Sequence, residues 1–112
     1  MTAPALIGAS AACERLTHWA PAPGRDAIVR SLKFRNFAEA FGFMAEIAMA
    51  AEKADHHPEW CNVYSRVDIL LATHEAGGVT QRDLDLALAI DEAAQKRLGR
   101  LSRRGGRRLS SP

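Results

Sequence analysis

At 112 residues, 47% of them apolar, the chain suits one domain with a modest core. No apolar run approaches the roughly 20 residues that span a bilayer, and the N-terminus lacks the charged start and unbroken hydrophobic stretch of a signal peptide, so a cytoplasmic protein is expected. The net charge of +2 conceals an asymmetry: of fifteen basic residues, Arg100, Arg103, Arg104, Arg107 and Arg108 lie in an acid-free end, leaving ten bases against thirteen acids and a net of −3 before it. Nucleic-acid binding would rest on that tail alone, and weakly. Cys13 and Cys61 have no CxxC spacing and read as free thiols.

Residues 1–15 are small and weakly patterned, with one short helix expected through Cys13 to Leu16. Thr17 to Ala20 reads as a short strand closed by Pro21-Ala22-Pro23-Gly24, and Ala27 to Arg35 as its partner, with Leu32 and Phe34 alternating with Ser31, Lys33 and Arg35. Asn36 then caps a helix with Glu39 three residues on. Phe37, Phe41, Met44, Ala48 and Ala51 form an apolar stripe at helical spacing, read as core, with Glu39, Glu46 and Lys53 opposite. The helix should stop by Asp55 to His57, because Pro58 disfavours helical geometry at the residue before it.

Trp60 to His74 is rich in β-branched and aromatic residues and reads as a second hairpin turning at Ser65-Arg66. Gly77-Gly78 breaks it. Thr80 caps a last helix with Asp83 at the third position, Asp85 near the start and Lys96 and Arg97 near the end suit the helix dipole, and Gly99 stops it. The order ββαββα predicts an α+β domain over residues 16–99, two helices lying on one face of an antiparallel four-stranded sheet, followed by a disordered arginine-rich tail over 100–112. On the last helix Leu84, Leu88 and Leu98 fall on one side and Leu86 and Ile90 on another, more apolar surface than one sheet covers, so a homodimer or homotetramer is expected.

Three of the four histidines sit in two short stretches, Glu52-Lys-Ala-Asp-His56-His57-Pro58-Glu59-Trp60 and Thr73-His74-Glu75. Histidine gives and takes protons near neutral pH without retuning. Adjacent histidines after a helix are often plain surface residues, but Pro58 holds this pair on a stiff corner, as positioned acid–base work requires. His74, on the Leu70-Ala72-His74 face, ends its strand beside a glycine loop, a favoured place for a site. Metal is not indicated: HxxxH, HxH and CxxC spacings are all absent, and adjacent side chains point apart. No serine or cysteine sits in a nucleophile elbow, and Gly77-Gly78 is a turn rather than a phosphate cradle.

The run from about Trp19 to Ala94 resembles the pterin-4a-carbinolamine dehydratases, the family also called dimerisation cofactor of a homeodomain transcription factor. The resemblance rests on Gly24-Arg25-Asp26-Ala27-Ile28, Phe41-Gly42-Phe43-Met44, Ala51 through Trp60, Asn62-Val63-Tyr64, Thr73-His74-Glu75 and Arg82-Asp83. The family signature is an acidic residue four before His-His-Pro, then an aromatic, a histidine and an aspartate. It is met by Glu52, His56-His57-Pro58, Tyr64, His74 and Asp83.

What the resemblance implies is a lyase that removes water from a 4a-hydroxytetrahydropterin, giving the quinonoid dihydropterin in tetrahydrobiopterin recycling after an aromatic amino acid hydroxylase has turned over. No cofactor or metal is implied. His56 and His74 would be acid and base, His57 would orient the pterin, and Glu52 and Asp83 would hold imidazole tautomers. Asp55, Pro58, Trp60, Thr73 and Glu75 would touch substrate. The alternative is a non-catalytic scaffold or transcriptional cofactor on the same fold. The chain departs from the family in its weak N-terminal helix and its arginine-rich end.

Overall fold

The computed structural model describes residues 4–105. A short helix α1, Ala9–Glu14, precedes strands β1, Ala20–Pro21, and β2, Ile28–Lys33. Helix α2, Phe37–Ala54, is followed by β3, Glu59–Val63, β4, Arg66–Leu71, a 3-10 turn at His74–Ala76 and helix α3, Gln81–Gly105. The strands make one antiparallel sheet in the order β1-β2-β4-β3. This is the α+β arrangement expected from the pattern of the chain. No helix among the described residues is long and apolar enough to cross a membrane.

Alternation sets the two faces of the sheet. Ile28 lies across from Leu71 and Leu32 across from Val67, and these four with Ile69 are buried under the helices, while Ser31, Lys33 and Arg66 face out. Phe43 and Ile47 of α2 and Leu84, Ala87, Ile90 and Ala94 of α3 complete the core. Asn36 caps α2 as expected, its side chain accepting the Glu39 N–H at 2.9 Å.

Several expectations shift. The buried stripe of α2 is Ala40, Phe43, Ile47 and Ala51; of the stripe expected from the spacing, Ala51 is buried and Met44 half-buried against the core, while Phe37, Phe41 and Ala48 are exposed. Phe41 is 58% exposed, Phe37 is exposed beside it, and their rings pair at 6.0 Å. The reason is that α2 is apolar around most of its circumference, so periodicity admits several faces and docking on the sheet selects one. Likewise Leu86 and Ile90 of α3 are buried within this one chain, leaving Leu88 as the exposed leucine of the pair of faces read from the sequence.

The first strand is shorter than expected and starts at Ala20, because Trp19 turns inward, its indole donating to Asp91 at 2.9 Å. The hairpin turn is Tyr64-Ser65 rather than Ser65-Arg66. The Asn62 amide bridges the turn to the carbonyls of Tyr64 and Arg66, and the Ser65 carbonyl accepts the Phe34 N–H at 2.8 Å. Tyr64 takes a left-handed backbone there, with φ of 53°. Gly99 does not stop α3, which continues to Gly105 at a cost near 1 kcal/mol for a mid-helix glycine. The tail expected beyond it lies, from residue 106, outside the described residues.

The N-terminal segment is better anchored than its composition suggests. The backbone N–H groups of Ile7 and Gly8 donate to the Val79 carbonyl, and the Ala9 N–H donates to Asp26 Oδ1 at 2.6 Å. These bonds tie α1, which begins at Ala9 rather than Cys13, to the loop that leads into α3 and to the turn between β1 and β2.

Candidate active site

The end of α2 aims the paired histidines. The Asp55 N–H reaches back to the Glu52 carbonyl at 3.2 Å and the His56 N–H to the Ala51 carbonyl at 3.1 Å, the paired bonds of a Schellman stop. Asp55 occupies the left-handed position that glycine usually takes, with φ of 52°, a conformation aspartate tolerates better than most residues. The reversal drives His56 inward to 7% exposure and leaves His57 on the surface. Pro58 then launches β3.

The opposite wall comes from the segment between β4 and α3. Thr73 and Gly78 pair across it, with Thr73 N–H to Gly78 O at 2.8 Å, and the intervening turn lifts His74 and Glu75 into solvent. Between the two walls lies a cavity of about 400 Å³, bounded by Asp55 through Glu59 on one side, Ala72, His74 and Glu75 on the other, and Arg82 from the first turn of α3. Its mouth is polar and its volume matches a bicyclic small molecule.

Each of the three cavity histidines has a carboxylate. His56 Nε2 lies 2.6 Å from Asp83 Oδ1, wholly inside the protein. His57 Nε2 lies 2.9 Å from Glu52 Oε1 at the surface. His74, 80% exposed at its side chain, has Nε2 3.5 Å from Glu59 Oε2. Glu59 is itself clasped by both terminal nitrogens of Arg25 at 3.0 Å, and the Arg25 hydrogen bonds, with lesser attraction from His74, hold its carboxyl below the usual range. Glu75 is also pushed down, first by its own backbone N–H and then by Arg82, whose Nη1 is 3.4 Å away.

Of the residues singled out from the sequence, His56, His57, His74, Asp55, Pro58 and Glu75 border this cavity. Glu52 touches it through His57, and Asp83 stands behind His56. Thr73 does not border it: the side chain is fully buried with its hydroxyl on Asp83, so it is not placed to touch a molecule in the cavity. Trp60 is not there either, because it lies across from Ile69 on the covered face of the sheet and packs against the core. Sequence reasoning passed over Arg25, Glu59 and Arg82, although Glu59 lies inside the His-His-Pro run and Arg82 beside Asp83. Among the described residues no three His, Cys, Asp or Glu side chains converge as a metal ion would need.

The comparisons with known proteins bear on this arrangement. The family model described as pterin 4 alpha carbinolamine dehydratase matches residues 7–93, which include α1 and every residue around the cavity. The chain belongs to the pterin-4a-carbinolamine dehydratase family. Relatives provisionally named pterin-4-alpha-carbinolamine dehydratase include one from Burkholderia multivorans, 59% identical over 81 residues, covering 72% of this chain and 79% of that protein. Another, from Burkholderia lata, is 60% identical over 80 residues, covering 71% and 78%.

Among solved structures, a transcriptional coactivator/pterin dehydratase from Brucella melitensis is similar at a TM-score of 0.73 and 50% identity, over 76% of this chain and 90% of that one. A pterin dehydratase-like protein described as a RuBisCO assembly factor in the alpha-carboxysome aligns at 0.59 and 19% identity, over 68% and 88%, and shows the shared dehydratase fold alone.

Proposed function

We propose that this protein dehydrates a 4a-hydroxytetrahydropterin to the quinonoid dihydropterin by histidine acid–base catalysis. The observation that carries the reading is the convergence of His56, His57 and His74 on one cavity, with His56 backed by a buried carboxylate. Hydroxide leaves C4a poorly unless it is protonated, and the C4a=N5 double bond forms as the N5 proton departs. One acid and one base suffice, and each is typically worth ~10²–10⁴-fold.

His56 is suited to take the N5 proton, because Asp83 stabilises the imidazolium that results. His74, at the rim, delivers a proton to the departing oxygen, and the product is water. His57, oriented by Glu52, steers the pterin ring, with Asp55, Pro58 and Glu75 completing the walls. The substrate would be supplied by an aromatic amino acid hydroxylase, so the step belongs to tetrahydrobiopterin recycling.

The rival reading, a scaffold without activity, has no use for three histidines around one cavity, each with its own carboxylate. The deciding experiment is a stopped-flow assay on freshly generated 4a-carbinolamine. The purified protein should accelerate dehydration above the spontaneous rate. An unaltered rate at micromolar protein sinks the proposal and leaves the scaffold.

A further inference from the structure

Behind His56 lies a closed set of hydrogen bonds with only one consistent direction. Asp83 is fully buried, and its carboxylate accepts from three donors: His56 Nε2 at 2.6 Å on Oδ1, and the Thr73 hydroxyl at 2.8 Å and the Thr80 backbone N–H at 2.9 Å on Oδ2. Thr73 has one hydroxyl proton and gives it to Asp83. Its 2.7 Å contact with the Thr80 hydroxyl must therefore run the other way, Thr80 donating and Thr73 accepting. The Thr80 oxygen accepts in turn from the Arg82 N–H at 3.2 Å. Both threonines are fully buried, so no water replaces these partners without opening the structure.

We infer that Thr73 and Thr80 are positioning residues, which lock His56 in the tautomer protonated at Nε2 and so make Nδ1 its reactive nitrogen. A carboxylate can only accept, so Nε2 must carry hydrogen. The opposite tautomer would set a bare Nε2 lone pair 2.6 Å from Asp83 Oδ1. Oδ2 is already occupied by two donors, the Thr73 hydroxyl and the Thr80 N–H, so the carboxylate is held with Oδ1 turned to Nε2. Nδ1 has no protein partner among the described residues, yet it is not sealed from solvent, and His56 borders the cavity. The family resemblance implies substrate contact for Thr73. Its buried hydroxyl assigns it to orientation, in the way the third member of a hydrolase triad orients a histidine it does not replace.

The consequence for turnover rests on the proposed dehydratase reading, but the tautomer does not, and the experiment separates them. Histidine labelled with nitrogen-15, observed by long-range proton–nitrogen correlation at about pH 8, where an ordinary imidazole is neutral, reports the tautomer of His56 in substrate-free protein. The wild type should show hydrogen on Nε2 and a bare Nδ1. Thr73→Ser should preserve that pattern, and Thr73→Val, which removes the anchor on Oδ2 and frees the carboxylate to turn Oδ1 away from Nε2, should give a mixture of tautomers. In the carbinolamine assay Thr73→Val should lower kcat by about tenfold to a hundredfold with KM within about twofold, and Thr73→Ser should restore most of the loss.

If Thr73→Val does not fold, Thr80→Val, which removes the outer hydroxyl, is read in the same way. A wild-type His56 with its hydrogen on Nδ1 overturns the inference, as does a valine variant whose spectrum matches the wild type. The expected tautomer in a protein that never dehydrates the carbinolamine would instead overturn the function and leave this arrangement standing.

Discussion

Asp26 lies so close over Gly78 that a β-carbon at position 78 would come within 2.0 Å of its carboxylate oxygen. The carboxylate cannot swing aside freely, because Oδ1 accepts the Ala9 N–H at 2.6 Å and Oδ2 faces the Val79 N–H at 3.4 Å. This contact joins the N-terminal helix to the loop that carries Thr80 and leads into α3, where Asp83 sits, and so bears on the histidine pocket from behind.

Gly78→Ala should therefore destabilise the protein by about 1–3 kcal/mol, the usual range for overpacking a closed site. Denaturant titration measures it. Adding Asp26→Ala to Gly78→Ala should recover part of the steric loss, since the clash partner is gone, although the α1 tether goes with it. Equal stability of Gly78→Ala and wild type would mean that the loop yields.

Replacement of the histidines should separate their roles. His74→Ala should lower kcat with little change in the melting temperature, because the side chain stands in solvent. His56→Ala should lower kcat and also cost about 1–3 kcal/mol, since it strips a buried carboxylate of a donor. His57→Ala should act mainly on KM. Steady-state kinetics beside thermal melts test all three, and full turnover in both His56→Ala and His74→Ala would refute the catalytic assignment.

The Arg25–Glu59 pair sets a pH dependence. Glu59 has its folded pKa below the unfolded one, so its contribution to stability is complete above the ordinary carboxylate range and is lost as pH falls through the folded value. Both side chains are close to half exposed, which keeps the effect small and open to salt. The stability gap between wild type and Arg25→Ala should be present at about pH 7 and close by about pH 2, well below the usual carboxylate pKa. A gap that widens on acidification would contradict the sign.

Self-association should run through the exposed side of α2. Phe37, Phe41 and Met49 are all at least half exposed there, an apolar surface that a second copy would bury. Light scattering at micromolar concentration should give at least a dimer, and Phe41→Glu should shift it towards monomer with the fold retained. Leu86→Glu, placed in the core rather than at a surface, should instead unfold the protein, at a cost of roughly 3 kcal/mol or more. A monomeric wild type ends this proposal.

Dehydration should survive exhaustive chelation, since acid–base chemistry by imidazoles needs no Lewis acid and Glu52, Glu59, Glu75 and Asp83 are taken up in pairs with the histidines or with arginine. Loss of activity together with a stoichiometric metal, recovered when that metal is returned, would show otherwise.

What the sequence by itself determined is local or periodic. The Asn36 cap with Glu39, the stop before Pro58 and the alternation of β2 and β4 depend on residues a few positions apart, and the strand–helix order follows from them. The His-His-Pro run and His74 marked the cavity because their chemistry is rare in this chain. The tertiary structure alone decided which face of α2 is buried, since Phe37, Phe41, Phe43 and Ile47 are nearly equivalent until a sheet is laid against one of them. It also decided the partners that join distant positions: His56 to Asp83 across 27 residues, Arg25 to Glu59 across 34, and Trp19 to Asp91 across 72. Thr73 moved from an expected substrate contact to a buried hydroxyl for the same reason. Burial and direction of a side chain are properties of the closed chain, and no spacing of letters states them until the packing that excludes water is complete.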